Sequence, residues 1–290
     1  MADGREVAYR LIGSGDGPAI VHAPSGPWPV ELLDEDPMYD RFLRTLGSAG
    51  RLVVYDRPGM GSSDPIDSDR GWFTQNVEAY CAVLDAVEAE AAWIVGSTLA
   101  AIAETIRARP DRVLGAVLVN PASRSTWRHH TDEVLVEGHR TSPEETARLF
   151  TPSRADDPAF VEWLRRATRL GTSKVGSAAN AAANREAVSR FVAEARPIPG
   201  GPPTLFIRRR HAMSRAEFDW WTGIFPDAEH VTIEGADAWE MALDAGLIAE
   251  LAVEFITGEP VAATAQRSLV AVLFTDLVDS TPAAAASGDT

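Results

Sequence analysis

Five residues, Gly96-Ser97-Thr98-Leu99-Ala100, join an apolar run to a stretch with helical periodicity. A hydroxyl group at such a sharp turn can attack an acyl carbon, provided that small residues stand two positions before and two positions after it. Gly96 and Ala100 meet this condition for Thr98, whereas Ser97 lies one residue too early. The spacing therefore predicts Thr98 at the nucleophile position, where its extra methyl group stiffens the side chain and crowds the line of attack.

The elements that would position this turn alternate along the chain. Short apolar runs are followed by segments with helical periodicity, which is typical of parallel strands covered on both faces by helices. The predicted fold class is therefore α/β. Residues 122–198 interrupt the alternation with a mostly helical insertion, at the place of a lid over a pocket. Strands are predicted at residues 6–13, 18–23, 51–56, 91–97, 113–120, 203–208 and 230–235.

Composition limits the partners of the protein. The 42 acidic residues exceed the 27 basic ones by 15, so the surrounding field repels nucleic acid. The basic run Arg208-Arg209-Arg210 indicates a solvated loop or an ion-pair site. The single cysteine, Cys81, excludes a disulfide framework and a cysteine-bound metal. The chain shows neither the pattern of a signal peptide nor an apolar run of about 18 residues, so we expect a cytoplasmic protein without a membrane span.

Three motifs occur in an order and spacing that resemble the α/β-hydrolase fold. They are YDRPGMGSSD at residues 55–64, PDRVLGAVLVNP at residues 110–121 and PTLFI at residues 203–207. The resemblance covers residues 1–258 and implies a mostly parallel central sheet with helices on both faces and a helical cap at about 122–198. The fold by itself implies no particular reaction.

The resemblance also implies where a catalytic triad would lie, and two of its positions carry alanine. The histidine base would follow the last strand, where this chain has Ala238 in the stretch EGADAW. The acid would follow PTLFI, where the matching residue is Ala212, and the alternative acid position holds Asn120. His211 lies near the acid position and does not match the base. Because alanine cannot transfer a proton, we expect no esterase activity above that of a Thr98→Ala control.

The oxyanion hole implied by the resemblance consists of two backbone N–H groups. Leu99 follows the nucleophile position and would supply one of them. The stretch HAPSG can be aligned in two ways for the other donor. One alignment places Pro24 there, which has no N–H, and the other places Gly26 there. The candidate donors are therefore Gly26 and Leu99.

Aromatic residues predict an apolar pocket beside the turn. Trp28 and Trp239 follow strands at the mouth of the expected site, and an apolar cavity lined by these two residues and Thr98 would bind a small apolar ligand. No cofactor is expected for this domain. The predicted cap contributes Phe150, Phe160, Trp163 and Leu164.

A second resemblance concerns the C-terminal residues. Residues 259–268 have the composition of a linker. LFTDLVDST, at residues 273–281, resembles the first strand of class III adenylate/guanylate cyclase domains. This resemblance implies a longer protein in which residues 269–290 begin a cyclase domain, Asp276 binds Mg²⁺ or Mn²⁺, and the active form is a homodimer. Asp279 stands where that family usually has glycine.

The favoured interpretation from sequence is a non-catalytic α/β-hydrolase-like domain that regulates a class III adenylate cyclase, which converts ATP into cyclic AMP. One alternative is an active esterase or lactonase that uses Thr98. Another is an interaction scaffold with a collapsed pocket. The absent base distinguishes the first interpretation from the second, and the volume of the pocket distinguishes the first from the third.

Overall fold

Seven strands form one sheet in the computed structural model, which describes residues 1, 4–13, 17–120, 142–171, 174–194 and 196–260. The strands are β1 (Tyr9–Ile12), β2 (Ala19–His22), β3 (Arg51–Tyr55), β4 (Ala92–Gly96), β5 (Val113–Val119), β6 (Thr204–Arg209) and β7 (Glu229–Ile233). Their order is β1-β3-β2-β4-β5-β6-β7, and every neighbouring pair is parallel except β1 and β3. The predicted strands and the mostly parallel sheet are confirmed.

Helices cover both faces of this sheet. The described α-helices are α1 (Pro37–Gly47), α2 (Trp72–Ala86), α3 (Leu99–Ala108), α4 (Pro143–Phe150), α5 (Pro158–Gly171), α6 (Lys174–Glu194), α7 (Arg215–Ile224) and α8 (Ala245–Thr257). Helix α1 packs against α8 on one face, and α2 packs against α3 on the other. In the described part of the chain, no helix has both the length and the apolar character needed to cross a membrane.

The central strands are buried on both sides because successive side chains point to opposite faces of a sheet. In β3, Val53 and Tyr55 join the core beneath α2 and α3, whereas Leu52 and Val54 are buried on the face of α1 and α8. Both sets must therefore be apolar, which explains why the strands read as continuous apolar runs.

Helices α4, α5 and α6 lie between β5 and β6 in the chain and fall within the predicted cap, of which residues 121–141 lie outside the described residues. Buried contacts fix this cap to the loop after β2. The guanidinium of Arg154 forms a bidentate ion pair with Asp36, at 2.7 and 2.8 Å, and Asp36 also accepts a hydrogen bond from the Tyr39 N–H at the start of α1. At the end of α5, a Cβ atom on Gly171 would lie 1.4 Å from the Pro27 carbonyl oxygen. Only glycine permits this approach of the two backbones.

Residues 1–260 form one compact unit. Helix α8 ends at Thr257 and is followed by Gly258 in the left-handed conformation that favours glycine, with φ of 73°. The predicted domain boundary at residue 258 stays a prediction. The predicted linker beyond residue 260 and the cyclase-like residues 269–290, including Asp276 and Asp279, lie outside the described residues.

The direction in which strands are added to the sheet reverses beside β2. Strand β3 lies on one side of β2 and β4 lies on the other, so the connections that follow β2 and β4 diverge. Open α/β sheets bind ligands in the crevice that such a reversal creates at the carboxyl ends of the strands. The loop after β2 and the turn after β4 are therefore the place to look for a site.

Candidate active site

Thr98 occupies the turn between β4 and α3 in a relaxed backbone conformation. Its φ of −82° and ψ of 59° are those of an inverse γ-turn, in which the Leu99 N–H donates to the Ser97 carbonyl oxygen at 2.9 Å. The positive φ that marks a strained turn is not found at Thr98. The Leu99 N–H is used inside the turn, so the structure does not present it as a free oxyanion donor.

Three polar side chains meet beside this turn at the carboxyl edge of the sheet. Ser25 follows β2, Ser97 follows β4, and Glu240 lies in the loop between β7 and α8. The Ser25 Oγ atom lies 2.6 Å from both carboxylate oxygens of Glu240 and 2.5 Å from the Ser97 Oγ atom. The Ser97 Oγ atom lies 3.1 Å from Glu240 Oε1. We name Ser25, Ser97 and Glu240 the hydroxyl–carboxylate cluster.

Burial makes the carboxylate of this cluster unusual. Glu240 is 0 % exposed, and in the described part of the chain its carboxylate has no ion-pair partner within 4.0 Å, only the two serine hydroxyls. A buried carboxylate depends on such hydrogen bonds to replace those of water. Ser25, whose hydroxyl contacts the carboxylate most closely, is partly exposed.

The loop that carries Glu240 is held by a buried arginine. Arg209, at the end of β6, is 0 % exposed and forms a bidentate ion pair with Asp244 at 2.5 and 2.8 Å. The same guanidinium donates to the carbonyl oxygens of Asp237 and Trp239, on the amino-terminal side of Glu240. Arg209 thus bonds both ends of the segment 237–244 and fixes the position of the carboxylate.

Asn120 supports the same loop from the end of β5, at the alternative acid position. Its backbone adopts a positive φ of 37°, which asparagine tolerates better than most residues. Its side-chain amide donates to the Asp237 carbonyl oxygen at 2.9 Å, and its side-chain oxygen accepts from the Arg209 N–H at 2.7 Å. The amide therefore joins the ends of β5 and β6 to the loop after β7.

The other positions that the sequence singled out for the base and the acid place no proton-transfer group in the hydroxyl–carboxylate cluster. Ala238 is partly exposed, and its N–H donates to the Phe150 carbonyl oxygen at 2.8 Å. Ala212 lies in the turn after β6, where its N–H donates to the Arg209 carbonyl oxygen. His211 is exposed and lies 3.7 Å from Glu234. The structure therefore does not bring any of these positions into the hydroxyl–carboxylate cluster.

His22 lies close to the cluster and is locked in a structural role. Its Nδ1 donates to the Val95 carbonyl oxygen at 2.8 Å, and its Nε2 accepts from the Tyr39 hydroxyl at 2.9 Å. Complete burial lowers the pKa of His22, so the imidazole is neutral, and burial raises the pKa of Tyr39 well above its ordinary value. Both ring nitrogens are used, which leaves His22 unable to serve as the missing base.

Aromatic rings fill the space where the sequence predicted an open apolar pocket. Trp28 is buried, contacts the Trp239 ring edge-on at 4.7 Å between centroids, and lies 5.7 Å from Trp163. Trp239 stacks on Phe150 at 4.5 Å. Gly26 packs against the Trp28 ring, since a Cβ atom there would lie 2.4 Å from it. Trp28 and Trp239 thus connect the cap to the loops after β2 and β7. Neither ring lines the cavity that Thr98 borders, which has a volume of about 30 Å³ and lies between the sheet, α2 and α3.

Asp56, in the motif that follows β3, is buried and accepts hydrogen bonds from the Val30 and Ser62 N–H groups at 3.0 and 2.8 Å. Gly61 adjoins it with a φ of 52°, and a Cβ atom there would lie 1.9 Å from the carboxylate. Burial outweighs the two hydrogen bonds and raises the pKa of Asp56 to about 6.

The pKa of Asp56 predicts a loss of stability between pH 4 and 7. The raised value means that the folded protein holds this proton after the unfolded chain has released it. Stability therefore falls as the pH rises through this range, and it becomes constant only above about pH 7. A shift from 3.8 to about 6 corresponds to about 3 kcal/mol. Urea denaturation gives the unfolding free energy of wild type and of Asp56→Asn at pH 4 and at pH 7. The difference, wild type minus variant, should fall by about 3 kcal/mol between these two pH values. A difference that is independent of pH would contradict the raised pKa.

The hydroxyl–carboxylate cluster can perform proton-coupled nucleophilic attack. A carboxylate that accepts a hydroxyl hydrogen bond can remove the proton as the oxygen attacks an electrophilic carbon. Gly26 follows Ser25 directly, so its N–H is the nearest backbone donor along the chain to a charge that develops there. Within the described ranges, no group of three or more His, Cys, Asp or Glu residues is arranged to hold a metal ion.

Sequence reasoning missed Ser25 and Glu240 and set Ser97 aside. Glu240 lies two residues after Ala238, and Ser25 lies between the two alternative oxyanion positions, so both stood within stretches already singled out. The available signal was a single acidic residue in the otherwise apolar stretch AWEMA, residues 238–242. Nothing in the local pattern indicates that residues 215 positions apart come into contact.

Solved structures resemble the chain over most of its length. An enol-lactonase from Burkholderia xenovorans LB400 has a TM-score of 0.69 and 22% identity, and covers 88% of this chain and 98% of its own. A hydrolase from Pseudomonas aeruginosa PA01 has a TM-score of 0.65 and 23% identity, with 87% and 96% covered. An N-acyl homoserine lactone degrading enzyme has a TM-score of 0.66 and 15% identity, with 88% and 98% covered. Neither a protein-family model nor a curated protein sequence matches the chain. The α/β-hydrolase fold is confirmed.

These comparisons contradict the interpretation of the chain as a non-catalytic regulatory domain of an adenylate cyclase. The three proteins just named are a hydrolase, a lactonase and a lactone-degrading enzyme, and no cyclase is among them. That interpretation relied on the missing histidine and on residues 269–290. The missing histidine concerns a single position and leaves the hydroxyl–carboxylate cluster out of account. Residues 269–290 lie outside the described residues.

Proposed function

We propose that this chain hydrolyses small carboxylic esters or lactones. The observation that carries the proposal is the hydroxyl–carboxylate cluster, in which a partly exposed serine contacts a buried carboxylate at the crevice of an open α/β sheet. The lactonase and hydrolase relatives support the same reaction class through their shared fold.

In the proposed reaction, the Ser25 Oγ atom attacks the carbonyl carbon of the ester while Glu240 accepts its proton. A bond forms between Oγ and the acyl carbon, and the carbonyl oxygen becomes an oxyanion beside the Gly26 N–H. Collapse of this intermediate breaks the bond to the leaving oxygen, which takes the proton from Glu240. Water then attacks the acyl-serine and gives one proton to Glu240. The bond between the acyl carbon and Oγ breaks, the Ser25 oxygen takes this proton back from Glu240, and the carboxylic acid leaves.

Ser97 positions the reacting groups in this scheme. Its hydroxyl contacts both the Ser25 Oγ atom and Glu240 Oε1, so it restricts the rotation of each. Arg57 holds the same loop, because its Nη2 donates to the Ser25 carbonyl oxygen at 3.1 Å. Burial lowers the pKa of Arg57.

Thr98 is the competing nucleophile, and substitution can distinguish it from Ser25. We expect Ser25→Ala to lower kcat for p-nitrophenyl acetate and δ-valerolactone by about 10²-fold or more, because the carboxylate then has no attacking hydroxyl in contact. Thr98→Val should cause a smaller loss, since the Thr98 hydroxyl has no carboxylate partner among the described residues. Rates of release of p-nitrophenol and acid, with circular dichroism of each variant, make the comparison.

Two outcomes would contradict this assignment. A loss of activity with Thr98→Val, together with normal rates for Ser25→Ala, would make Thr98 the nucleophile. The absence of turnover of any ester or lactone by the folded wild-type protein would refute the proposed function itself.

A further inference from the structure

The cavity between the sheet and helices α2 and α3 has a wall that none of the members of the hydroxyl–carboxylate cluster lines. Its volume is about 30 Å³, and most of the wall is apolar, from residues such as Val21, Ile94 and Ile102. Polar side chains complete the wall. Arg57 is one of them, and no acidic residue is among the described residues that line the cavity. The cavity therefore presents a positive charge in mostly apolar surroundings.

The Arg57 guanidinium is buried without a paired carboxylate. It is 5 % exposed, and its Nη2 donates to the Ser25 carbonyl oxygen at 3.1 Å. Its Nε is buried and has no hydrogen-bond partner in the described part of the chain. The carboxylates of Glu240 and Asp56 attract the guanidinium, but neither forms an ion pair with it. A buried charge is stabilised by a partner of opposite charge that accepts its N–H groups, so this guanidinium favours an anion in the adjoining cavity.

Two hydroxyl groups add unused donors to the wall of the same cavity. Tyr55 is 6 % exposed, and burial raises the pKa of its phenol to about 12, so the phenol keeps its proton at neutral pH. Within the described ranges, neither the Tyr55 hydroxyl nor the Thr98 hydroxyl has a hydrogen-bond partner. Arg57, Tyr55 and Thr98 therefore offer three kinds of N–H or O–H donor to one small space.

Asn76 contributes an acceptor to this wall. It is 4 % exposed, and its Nδ2 donates to the Trp72 carbonyl oxygen at 2.8 Å, which fixes the orientation of the amide. Its Oδ1 is buried and has no partner among the residues that the structure describes. The partial charge of this oxygen opposes an anion, but the full charge of Arg57 outweighs it, because the attraction of a full charge is stronger and falls off more slowly with distance.

The volume limits the size of the anion. A water molecule requires about 10–15 Å³ measured in this way, so the cavity accepts about two or three non-hydrogen atoms. Chloride and formate fit, whereas sulfate and gluconate do not. The net charge of the chain is −15, so the surrounding field repels anions and their binding depends on the local charge of Arg57.

We propose that this cavity binds one small monovalent anion, of the size of chloride or formate, which accepts hydrogen bonds from the Arg57 guanidinium and the Tyr55 hydroxyl. The inference does not depend on the proposed hydrolase function, because no substrate has to enter the cavity. A bound anion compensates the buried charge of Arg57, so it stabilises the folded chain over the unfolded chain, which lacks the site.

The test compares urea unfolding at neutral pH in sodium chloride and in sodium gluconate of the same ionic strength. Screening of surface charges is then equal, and gluconate is too large for the cavity. We expect chloride at about 0.2 M to raise the ratio of folded to unfolded protein about tenfold over gluconate, as for a dissociation constant of about 20 mM. Sodium formate should act as chloride does. Equal ratios in the three salts would overturn the inference.

Three variants locate the effect in the cavity. Arg57→Met should abolish the chloride effect, and Tyr55→Phe, which removes one donor and keeps the ring, should lower it to about threefold or less. Tyr80→Phe is the matched control, since Tyr80 also lines the cavity but its hydroxyl already donates to the Arg112 carbonyl oxygen at 2.8 Å. The full effect should survive in this control. If Arg57→Met does not fold, the two tyrosine variants still decide: equal chloride effects in both would overturn the inference.

Crystals of the wild-type protein grown in sodium bromide would locate the ion directly, because bromide replaces chloride and gives an anomalous diffraction signal. We expect an anomalous peak in the cavity, in contact with the Arg57 guanidinium and the Tyr55 hydroxyl. The absence of a peak there would show that the cavity holds only water and would overturn the inference. Neither measurement uses ester hydrolysis, so a failure of the proposed reaction would leave this result unchanged.

Discussion

Replacing Glu240 with glutamine is expected to lower kcat for ester hydrolysis by about 10³-fold while the protein remains folded. Glutamine has nearly the same shape and can still accept a hydrogen bond from Ser25, but its amide does not take up a proton at neutral pH. Among the described residues the buried carboxylate has no substitute, because His22 is locked between Val95 and Tyr39 and position 238 is alanine. Steady-state rates with p-nitrophenyl acetate measure the effect.

Glu234→Gln is the matched control for this experiment. Glu234 lies at the start of the same loop, but it is exposed and pairs with Arg210 away from the hydroxyl–carboxylate cluster. Its substitution should leave kcat unchanged. If Glu240→Gln retained most of the wild-type rate while Ser25→Ala did not, Glu240 would not be the base.

Replacing Arg209 with methionine is expected to lower the free energy of unfolding by about 3–5 kcal/mol. The change leaves the Asp244 carboxylate without its bidentate partner and leaves the carbonyl oxygens of Asp237 and Trp239 without the guanidinium donor. Loss of these bonds also frees the loop of Glu240, so activity should fall with stability. Urea denaturation at neutral pH, monitored by far-ultraviolet circular dichroism, measures the change.

The neighbouring Arg210 provides the comparison. Within the part of the chain that the structure describes, Arg210 has a single ion pair, with Glu234, and both side chains are more than half exposed. Arg210→Met should therefore cost about 1 kcal/mol or less. Similar losses for the two variants would show that burial of Arg209 does not determine its contribution.

The fold could be predicted from sequence because its signals are local. Each strand from β2 to β6 contains a short continuous apolar run, and the covering helices show their own periodicity within a single window. The basic run 208–210 was interpreted as a solvated loop or an ion-pair site, and the sequence could not distinguish its buried members, Arg208 and Arg209, from Arg210. Arg209 is enclosed and pairs with Asp244, whereas Arg210 pairs with Glu234 at the surface.

The site could not be predicted in the same way because it depends on contacts between distant parts of the chain. Ser25 and Glu240 are brought together by the order of the strands and by the bonds of Asn120 and Arg209 to the loop after β7. The prediction of Thr98 relied on a strained turn, and the relaxed inverse γ-turn at that position is decided by local backbone energies that residue spacing does not reveal. Likewise, spacing suggested that aromatic rings would line a cavity, whereas they pack against one another.

The attachment of Phe150 to the loop of Glu240 also bears on local unfolding. The N–H groups of Ala238 and Trp239 both donate to the Phe150 carbonyl oxygen, and the Trp239 ring stacks on Phe150. The end of helix α4 and this loop therefore form one cooperative unit, which opens as a whole or remains closed. Opening of this unit would carry Glu240 away from Ser25, so loss of the contacts at Phe150 would also take the hydroxyl–carboxylate cluster apart.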